Sequence, residues 1–326
     1  MEGISIIICF YNAENKLKDT LKYIKELDVN TLVVELILVN NNSSDNSVKV
    51  INDLMADFDG FVFRIVEENN PGLTNARLKG ISESKYDILL FCDDDNWLEK
   101  KYLQIGYDQL INNNRIAVLG GLGKEVSTVE IPEWFKDVEN YYAVGPQFSS
   151  DGRVLGSRNV VYGAGMFIRK EYFNHIYRLG YVPFNTDRIG NSLASGGDSE
   201  LCLAFQISGY EVWYNSELKF NHFIEPKRLT LDYLSRLQKG MNESAFVSRF
   251  FRDYLKGYRP DVTSFFWIKE LILSLKDSLL MISKFNFKIK RNTLFQLFLI
   301  KNRQSYNKNV KSIVDMCDEL SNNAKI

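Results

Sequence analysis

The sequence predicts an α/β fold with a mostly parallel central sheet flanked by helices, followed by a helical C-terminal extension. Apolar, β-rich runs alternate with helical stretches of ~10–15 residues over the first hundred residues. Charge is divided as well: residues 1–226 hold 21 Lys and Arg against 32 Asp and Glu, whereas residues 227–326 hold 19 against 9. The chain has 326 residues, of which 45% are apolar and 25% are charged, and this composition excludes a disordered or fibrous protein.

The first half carries the clearest pattern of secondary structure. The predicted strands, in order, are Ile4–Phe10, Val33–Val39, Phe61–Val66 and Ile88–Cys92. A helix through Leu17 and Leu27 follows the first strand, a second is capped within residues 43–45, and Leu73–Ile81 forms a third. Right-handed crossovers between parallel strands place ligands beyond the carboxyl ends of the strands.

The second half is less regular. Residues 120–165 mix glycines and aromatics with short strand-like pieces, which favours loops around a substrate, and helical patterns begin at Leu229. The four cysteines show no C-x-x-C spacing, so we expect buried free thiols in a reducing compartment. We find no signal-peptide pattern and no run of ~18 apolar residues, so we expect a cytoplasmic protein, either free or peripheral on the cytoplasmic face of a membrane. We expect no nucleic-acid partner, and the sequence carries no signal for an oligomeric state.

Three local patterns carry chemistry. Asp93-Asp94-Asp95 follows a buried strand and forms either a solvated acidic turn or an oxygen-ligand site for Mg²⁺ or Mn²⁺. Gly196-Gly197-Asp198-Ser199-Glu200 opens a helix, where the carboxylates either cap the helix or supply a general base. Arg77 closes the third pattern, at residues 68–77, and is either a surface arginine or a phosphate contact.

Together these patterns resemble glycosyltransferase family 2, whose members adopt the GT-A (nucleotide-diphospho-sugar transferase) fold. Six segments in the family's order carry the resemblance, over residues 4–226: ISIIICFYNAENKL, LILVNNNSSDNS, NPGLTNARLKGI, LLFCDDDNWL with the DxD motif, YGAGMFIRKEYF, and SGGDSELCLAF. The resemblance implies a catalytic domain over residues 1–226, with a nucleotide-sugar half at about 1–97 and an acceptor half at about 98–226. Residues 227–326 then form the basic helical extension.

The resemblance also implies roles for individual residues. The implied donor-binding residues are Phe10, Tyr11, Glu14, Asn40, Asn41, Arg77, Asp93, Asp94 and Gly165. Asp95, Asp93 and His222 would hold Mn²⁺ or Mg²⁺. Asp198 matches the catalytic base, although Gly197 replaces the Glu that usually precedes it, and Glu200 is the alternative base or an acceptor contact. Trp134 is a candidate acceptor contact, or packs within a loop.

Lys227 and Arg228, shortly after His222, have two interpretations. They either neutralise a leaving diphosphate or form a solvated charge pair at the start of a helix.

The activity implied by the resemblance is inverting transfer of a sugar, with a UDP-sugar as the expected donor, to a hydroxyl of a glycan or lipid-linked acceptor in surface polysaccharide synthesis. The chain has no Q-x-x-R-W element, so it is similar to the non-processive bacterial members. The alternatives are a metal-dependent sugar nucleotidyltransferase and a non-catalytic scaffold that binds sugar nucleotides. The first lacks its usual glycine-rich signature after the first strand, and the retained Asp93, Asp95 and Asp198 argue against the second.

The basic tail admits two interpretations. Residues 284–311 contain eight Lys and Arg residues, no Asp or Glu, and a short apolar run at 294–300. Such a segment is typical of a surface that binds an anionic membrane. Equally, it is compatible with a helix that packs its apolar side on the catalytic domain.

Overall fold

The structure is a computed structural model, and it describes residues 2–29, 31–156, 159–190, 192–258, 272 and 303–324. The described residues contain nine strands: β1 (Ile4–Phe10), β2 (Val34–Asn40), β3 (Val62–Glu67), β4 (Ile88–Phe91), β5 (Asn96–Leu98), β6 (Ile116–Val126), β7 (Gly152–Arg153), β8 (Met166–Arg169) and β9 (Glu211–Phe223). The α-helices are α1 (Leu17–Lys25), α2 (Ser47–Met55), α3 (Leu73–Glu83), α4 (Tyr102–Asn112), α5 (Lys170–Arg178), α6 (Gly197–Ile207), α7 (Leu231–Leu255) and α8 (Arg303–Asn322). Short 3₁₀ helices lie at Glu133–Asp137, Glu139–Tyr142 and Pro226–Arg228.

All the strands belong to one sheet with the order β3-β2-β1-β4-β8-β6-β9-β5, and β7 pairs with β9. The first four strands pair in parallel, as the sequence predicts. In the second half, β8 is antiparallel to both of its neighbours, and β5 is antiparallel to β9. The α/β class with flanking helices is therefore confirmed, and the sheet is mostly parallel, since β6 and β9 also pair in parallel and the antiparallel pairs involve the short strands β5, β7 and β8.

Side chains on the two faces of the sheet form two separate cores. Along β1, Ile4, Ile6 and Ile8 pack with α1, α2 and α4 on one face, whereas Ile7 packs with α3 and α6 on the other. Because successive side chains of a strand point to opposite faces, a strand buried on both faces is continuously apolar. This arrangement explains why the first strands are easy to recognise in the sequence.

Strand β6 corrects the expectation of loops from residue 120 onward. Its glycines lie inside an eleven-residue strand. A Cβ at Gly121 would meet the carbonyl oxygen of Leu218 and the hydroxyl of Tyr102, so glycine is needed here for close packing. His222 is the penultimate residue of strand β9.

Helix α8 packs against α6 and α7. In α8, Ile313, Met316, Cys317 and Leu320 are buried in the core that contains α6 and α7. Residues 284–302 of the expected membrane-binding segment lie outside the described residues. Within the described part of the chain, no helix combines the length and apolarity needed to cross a membrane. The four cysteines are free, and three of them are buried, which confirms the expectation of unpaired thiols.

Candidate active site

A cavity of about 1170 Å³ opens beyond the carboxyl ends of β1, β2 and β4. This is the position at which an open α/β sheet binds ligands, since the strand order reverses between β1 and β4. The predicted site residues that line the cavity are Phe10, Tyr11, Asn41, Arg77, Asp93, Asp94, Asp95, Asp198 and His222. The volume exceeds the ~300–1,000 Å³ usual for small-molecule pockets, so there is room for more than one substrate.

The loops after β1 and β2 hold one another through side chains. The Asn12 Oδ1 accepts from the Ser44 N–H at 2.8 Å, and the Ala13 N–H donates to the Ser47 Oγ at 2.8 Å. Glu14 takes part in this contact, since its Oε2 accepts from the Asn46 N–H at 3.0 Å. Glu14 therefore fixes the loop that presents Tyr11 rather than lining the cavity itself.

Asn40, the last residue of β2, and Asn41, which follows it, have different hydrogen-bond partners. Asn40 is buried, its Nδ2 donates to the Glu67 Oε2 at 2.9 Å, and it does not line the cavity. Asn41 donates to the carbonyls of residues 68 and 70 and accepts from the Gly72 N–H at 2.8 Å. Thus Asn41 orders the turn that leads into α3 and Arg77.

The three carboxylates of the acidic turn have different partners. The Asp94 Oδ1 lies 2.5 Å from the Lys16 Nζ. Asp95 is buried, with Oδ1 3.3 Å from the His222 Nε2 and Oδ2 3.2 Å from the Arg228 Nη1. The turn is therefore not a solvated acidic loop. Arg228 is likewise buried and paired, which contradicts the interpretation of a solvated charge pair, whereas Lys227 is exposed and lies 2.9 Å from Glu225.

The pKa values of Asp94 and Asp95 are shifted in opposite directions. Burial raises the pKa of Asp94 to about 6, although Lys16 opposes this shift. Burial also acts to raise the pKa of Asp95, but His222, Lys16 and Arg228 outweigh it and hold that pKa below its usual range. Asp95 is therefore ionised at neutral pH.

Arg77 lies at the centre of a second group of charges. Its guanidinium is 3.7 Å from the Asp93 carboxylate and 3.7 Å from the Asp187 carboxylate, and it stacks over the Phe91 ring at 5.3 Å. A surface position for Arg77 is excluded, because only 14% of its side chain is exposed. Burial acts to lower the pKa of Arg77, but the surrounding carboxylates raise it overall, so this cation is permanent.

Asp198 faces this cluster from the first turn of α6. Its Oδ2 accepts from the Gly163 N–H at 2.7 Å, and its Oδ1 accepts from the Ser199 N–H at 2.7 Å. A Cβ at Gly163 would lie 2.8 Å from the Arg77 Nη2 and 3.1 Å from the Asp198 Cβ, so glycine allows these two side chains to approach. Each carboxylate oxygen keeps a further lone pair directed to other donors.

Asp187 is a site residue that the sequence analysis missed. Its Oδ1 accepts from the N–H groups of both Gly196 and Gly197 at 2.8 Å, and its backbone has a positive φ of 54°. A Cβ at Gly197 would collide with the Asp187 Oδ2. The carboxylate of Asp187 therefore occupies the space that a side chain at position 197 would fill.

Glu200 is not in the cavity, which disagrees with its expected role as alternative base or acceptor contact. Its side chain is fully buried, and its carboxylate accepts from the backbone N–H groups of Phe184 and Asn185 at 2.8 and 2.9 Å. Burial raises the pKa of Glu200 to about 7. A group on the inner face of α6 anchors the 184–185 segment and cannot reach a substrate in the cavity.

Two further predicted residues lie beside the cavity rather than on its wall. Trp134 packs on the cluster formed by Phe135, Tyr142 and the start of α7, so the packing interpretation holds. Gly165 is buried, and its carbonyl accepts from the Tyr102 hydroxyl at 2.5 Å, while its neighbours Gly163 and Ala164 line the cavity.

Comparisons with known proteins agree with this geometry. A family model described as Glycosyl transferase family 2 matches residues 5–177. The glucosyl-dolichyl phosphate glucuronosyltransferase of Haloferax volcanii is 24% identical over 234 residues, which cover 71% of this chain and 72% of the relative. The poly-β-1,6-N-acetyl-D-glucosamine synthase of Staphylococcus epidermidis is 32% identical over 195 residues, which cover 60% of this chain and 45% of the relative, so the match spans less than half of that protein.

Solved structures show the same fold. The Pyrobaculum calidifontis mannosyltransferase PcManGT, in complex with GDP-Man and Mn²⁺, superposes with a TM-score of 0.60 at 15% identity, over 98% of this chain and 85% of that one. The S. aureus TarS complex with UDP-GlcNAc gives a TM-score of 0.51 at 14% identity, over 99% and 89% of the two chains. With a family model that covers more than half of its length, and with this fold, the chain belongs to glycosyl transferase family 2 and is a GT-A glycosyltransferase.

Proposed function

We propose that this glycosyltransferase moves a sugar from a nucleoside-diphosphate donor, a UDP-sugar, to a hydroxyl of a glycan or lipid-linked acceptor, with inversion at the anomeric carbon. The observation that carries the proposal is that Asp198 and the acidic turn face one cavity, with Arg77 between them. A single displacement needs this arrangement: a base on one side of the reacting carbon and charge stabilisation for the leaving group on the other.

Asp198 is the proposed general base. Two backbone N–H groups fix its carboxylate, and lone pairs remain to accept the proton of the acceptor hydroxyl. Arg77 and Arg228 are the proposed contacts of the donor diphosphate, since both are buried cations on the cavity wall. The Arg228 Nε is buried without a hydrogen-bond partner, so it has a donor to offer.

The charges of the cavity favour a divalent cation with the donor. The described residues around the donor end of the cavity include six carboxylates, and a divalent cation would offset their charge when a diphosphate binds; they are Asp93, Asp94, Asp95, Asp187, Asp198 and Glu225. In the described residues no group of three or more His, Cys, Asp or Glu side chains is arranged to hold a metal. The Asp95 Oδ1 and the His222 Nε2 are 3.3 Å apart, so these two side chains would together hold one Mg²⁺ or Mn²⁺.

We propose that these residues hold the metal only when the donor is also bound. When bound, the cation would neutralise the developing charge on the diphosphate. Asp95 is suited to hold it, because its pKa lies below the usual range. Asp93 is the third candidate ligand and has one-third of its side chain exposed.

The choice of UDP and of the acceptor class rests on the relatives. A neighbouring structure binds UDP-GlcNAc, and two relatives are named for a dolichyl-phosphate-linked acceptor and for an N-acetylglucosamine polymer. Membership of the family favours glycosyl transfer over nucleotidyl transfer. A cytoplasmic location is part of the proposal.

Asp198→Asn tests the proposal, with Asp151→Asn as the matched control on an exposed carboxylate outside the cavity. With UDP-sugars, Mn²⁺ and a glycan or prenyl-linked acceptor, we expect Asp198→Asn to keep UDP affinity and to lose ~10²–10⁴-fold in transfer rate. Asp151→Asn should match the wild type. Transfer by Asp198→Asn within ~10-fold of the wild type would reject Asp198 as the base, and failure of every UDP-sugar to bind would reject the donor class.

A further inference from the structure

A short segment, residues 184–188, connects the helix of the proposed base with the helix of the proposed diphosphate contact. Asn185 is buried in this segment and forms hydrogen bonds in both directions. Its backbone N–H and its side-chain Nδ2 donate to the Glu200 carboxylate of α6, at 2.9 and 2.8 Å. Its carbonyl accepts from the Thr74 hydroxyl, in the first turn of α3, at 2.8 Å. One residue of the segment is therefore held by both helices.

The same segment contacts both helices again at Asp187 and Arg188. The Asp187 Oδ1 accepts from the N–H groups at the start of α6, and its Oδ2 lies 3.7 Å from the Arg77 Nη1. The carbonyl of Arg188 accepts from the Leu73 N–H, at the start of α3, at 3.3 Å. These contacts fix the course of the segment between α3 and α6.

Glu200 holds this segment from inside the core. Its side chain is fully buried, and its Oε1 accepts from the Phe184 N–H at 2.8 Å, in addition to the bonds from Asn185 to Oε2. Burial of a carboxylate is costly unless hydrogen bonds satisfy it. Because these N–H donors come from residues 184 and 185, the carboxylate of Glu200 fixes the position of the segment.

We propose that Glu200 is a positioning residue for sugar transfer, which acts through residues 184–188 on the alignment of Arg77 with Asp198. The inference rests on the proposed function and deepens it, because it names what sets the spacing between the diphosphate contact and the base. In a displacement the base and the leaving group lie on opposite sides of the reacting carbon, and a misplacement of about 1 Å can cost about 100-fold in rate. Loss of the bond from Thr74 or from Glu200 would free the segment to shift, and Arg77 with it.

Calorimetry with UDP and with uridine tests the donor side of this alignment on the full chain. Uridine lacks the diphosphate, so the ratio of the two affinities reports on the contact at Arg77. In Glu200→Gln an amide N–H would face N–H donors of the segment, and in Thr74→Val the Asn185 carbonyl loses its donor. We expect both variants to weaken UDP binding about tenfold and to leave uridine binding within about twofold of the wild type, since a charge-assisted contact is displaced. Thr74→Ser keeps the hydroxyl and should keep the wild-type ratio.

The rate of transfer from a UDP-sugar tests the base side of the alignment. We expect kcat to fall about tenfold or more in Glu200→Gln and in Thr74→Val, because the base and the leaving group are no longer in line. If both positions act through the same segment, the double variant should lose less than the product of the single losses.

Glu35→Gln is the matched control for the buried carboxylate. Glu35 is also buried and accepts from a hydroxyl and from a backbone N–H, near the start of β2 and outside the cavity. Its replacement should lower the free energy of unfolding without changing kcat or the ratio of UDP to uridine affinity. Thr31→Val removes the hydroxyl of an exposed threonine outside the cavity and is the control for Thr74→Val. A purely structural role for Glu200 would give the same result as Glu35→Gln.

A folded Thr74→Val or Glu200→Gln variant with the wild-type value of either kcat or the affinity ratio would overturn the inference. Thr74 is partly exposed, so its variant decides the question if Glu200→Gln fails to fold. If the wild type does not bind UDP, the proposed donor is rejected, and GDP and guanosine replace UDP and uridine in the same measurement. Binding of neither diphosphate would reject the proposed function and this inference together.

Discussion

The two walls of the cavity differ in how their charges are held. On the wall built from strand ends, Asp94, Asp95 and Arg77 each contact a partner from a distant part of the chain, and all three have side chains less than 15% exposed. On the α7 wall, Arg249 and Asp253 are about one-third exposed, and the ion pair between them joins residues one helical turn apart. Buried, mutually paired charges suit chemistry, because their geometry is fixed before the substrate binds.

The negative charge of the strand-end wall follows from the proposed reaction. Diphosphate transfer needs ionised carboxylates to hold a cation and a base, so the strand-end wall is acidic and its repulsions are offset by buried partners. Substitutions on the first wall should therefore affect donor binding and stability, and substitutions of Asp253 and Lys256 on the second should affect them far less.

Asp95→Asn is expected to have the largest effect. The change removes a proposed metal ligand and leaves Arg228 buried without its counter-charge, which typically costs about 3–5 kcal/mol of stability. We expect Mn²⁺-dependent UDP binding, measured by calorimetry, to weaken about 100-fold or more as the ligand is lost. The matched control is Asp253→Asn on the α7 wall, where UDP affinity should change less than about twofold. Equal losses in the two variants would break the comparison.

The buried carboxyl of Glu200, which lies on the same helix as the proposed base Asp198, predicts a pH dependence of the protein's stability. Burial raises the pKa of Glu200 from 4.5 to about 7. Between these values the native carboxyl is protonated while the unfolded chain is ionised, so the native state binds more protons and its stability falls as pH rises. The expected loss is about 3 kcal/mol, complete above pH 7.

Urea unfolding at pH 5 and pH 7.5 measures this loss. Asp94 also has a raised pKa, to about 6, and acts in the same direction, so the informative quantity is the wild type minus Glu200→Gln. The Gln variant should show a flatter profile, because it has no group to ionise at position 200. Parallel profiles for the two proteins would reject the assignment.

The sequence was informative where a pattern has one structural meaning. Strands β1, β2 and β4 are buried on both faces, so their apolar runs and the polar residues after them were predicted correctly. Nine predicted site residues line the cavity, and most of them lie at or just after the ends of strands, at the edge where the sheet binds ligands. Glycines in β6 were misread as loop signals, because close packing against β9 has no local signature.

The residues that were missed act through tertiary contacts. Lys16 and Asp187 come from a loop before α1 and an irregular segment before α6, and their partners lie 78 and 110 residues away. No local pattern distinguishes them from surface charges.

For Asp198 and Glu200, by contrast, the sequence did contain the needed information. The two residues are two positions apart on α6, and Asp198 points into the cavity whereas Glu200 points into the core. The helical spacing of 100° per residue could have separated them.

Asp187 and Gly197 should show strong coupling. Asp187→Ala removes the acceptor of two N–H groups at the start of α6, and such misplacement of the base should lower kcat about 10- to 100-fold. Gly197→Ala should also lower kcat, because the new Cβ collides with the Asp187 carboxylate. In the double variant the collision is absent, so its loss should be clearly smaller than the product of the single losses. A multiplicative result would show that the two positions act independently.

The smallest effects concern two lysines that line the same cavity on opposite walls. Lys16 is 22% exposed and its Nζ contacts the Asp94 carboxylate, which is 13% exposed, whereas Lys256 is exposed at the end of α7. Lys16→Gln leaves a half-buried carboxylate next to Asp95 without its cation, so we expect a loss of about 1–2 kcal/mol in the free energy of unfolding. Lys256→Gln should stay within about 0.5 kcal/mol of the wild type.

Urea unfolding at pH 7.5 measures both variants under identical conditions. If Lys256→Gln destabilised the protein as much as Lys16→Gln, the charge at position 256 would be held as strongly as the charges of the strand-end wall, and the comparison would fail.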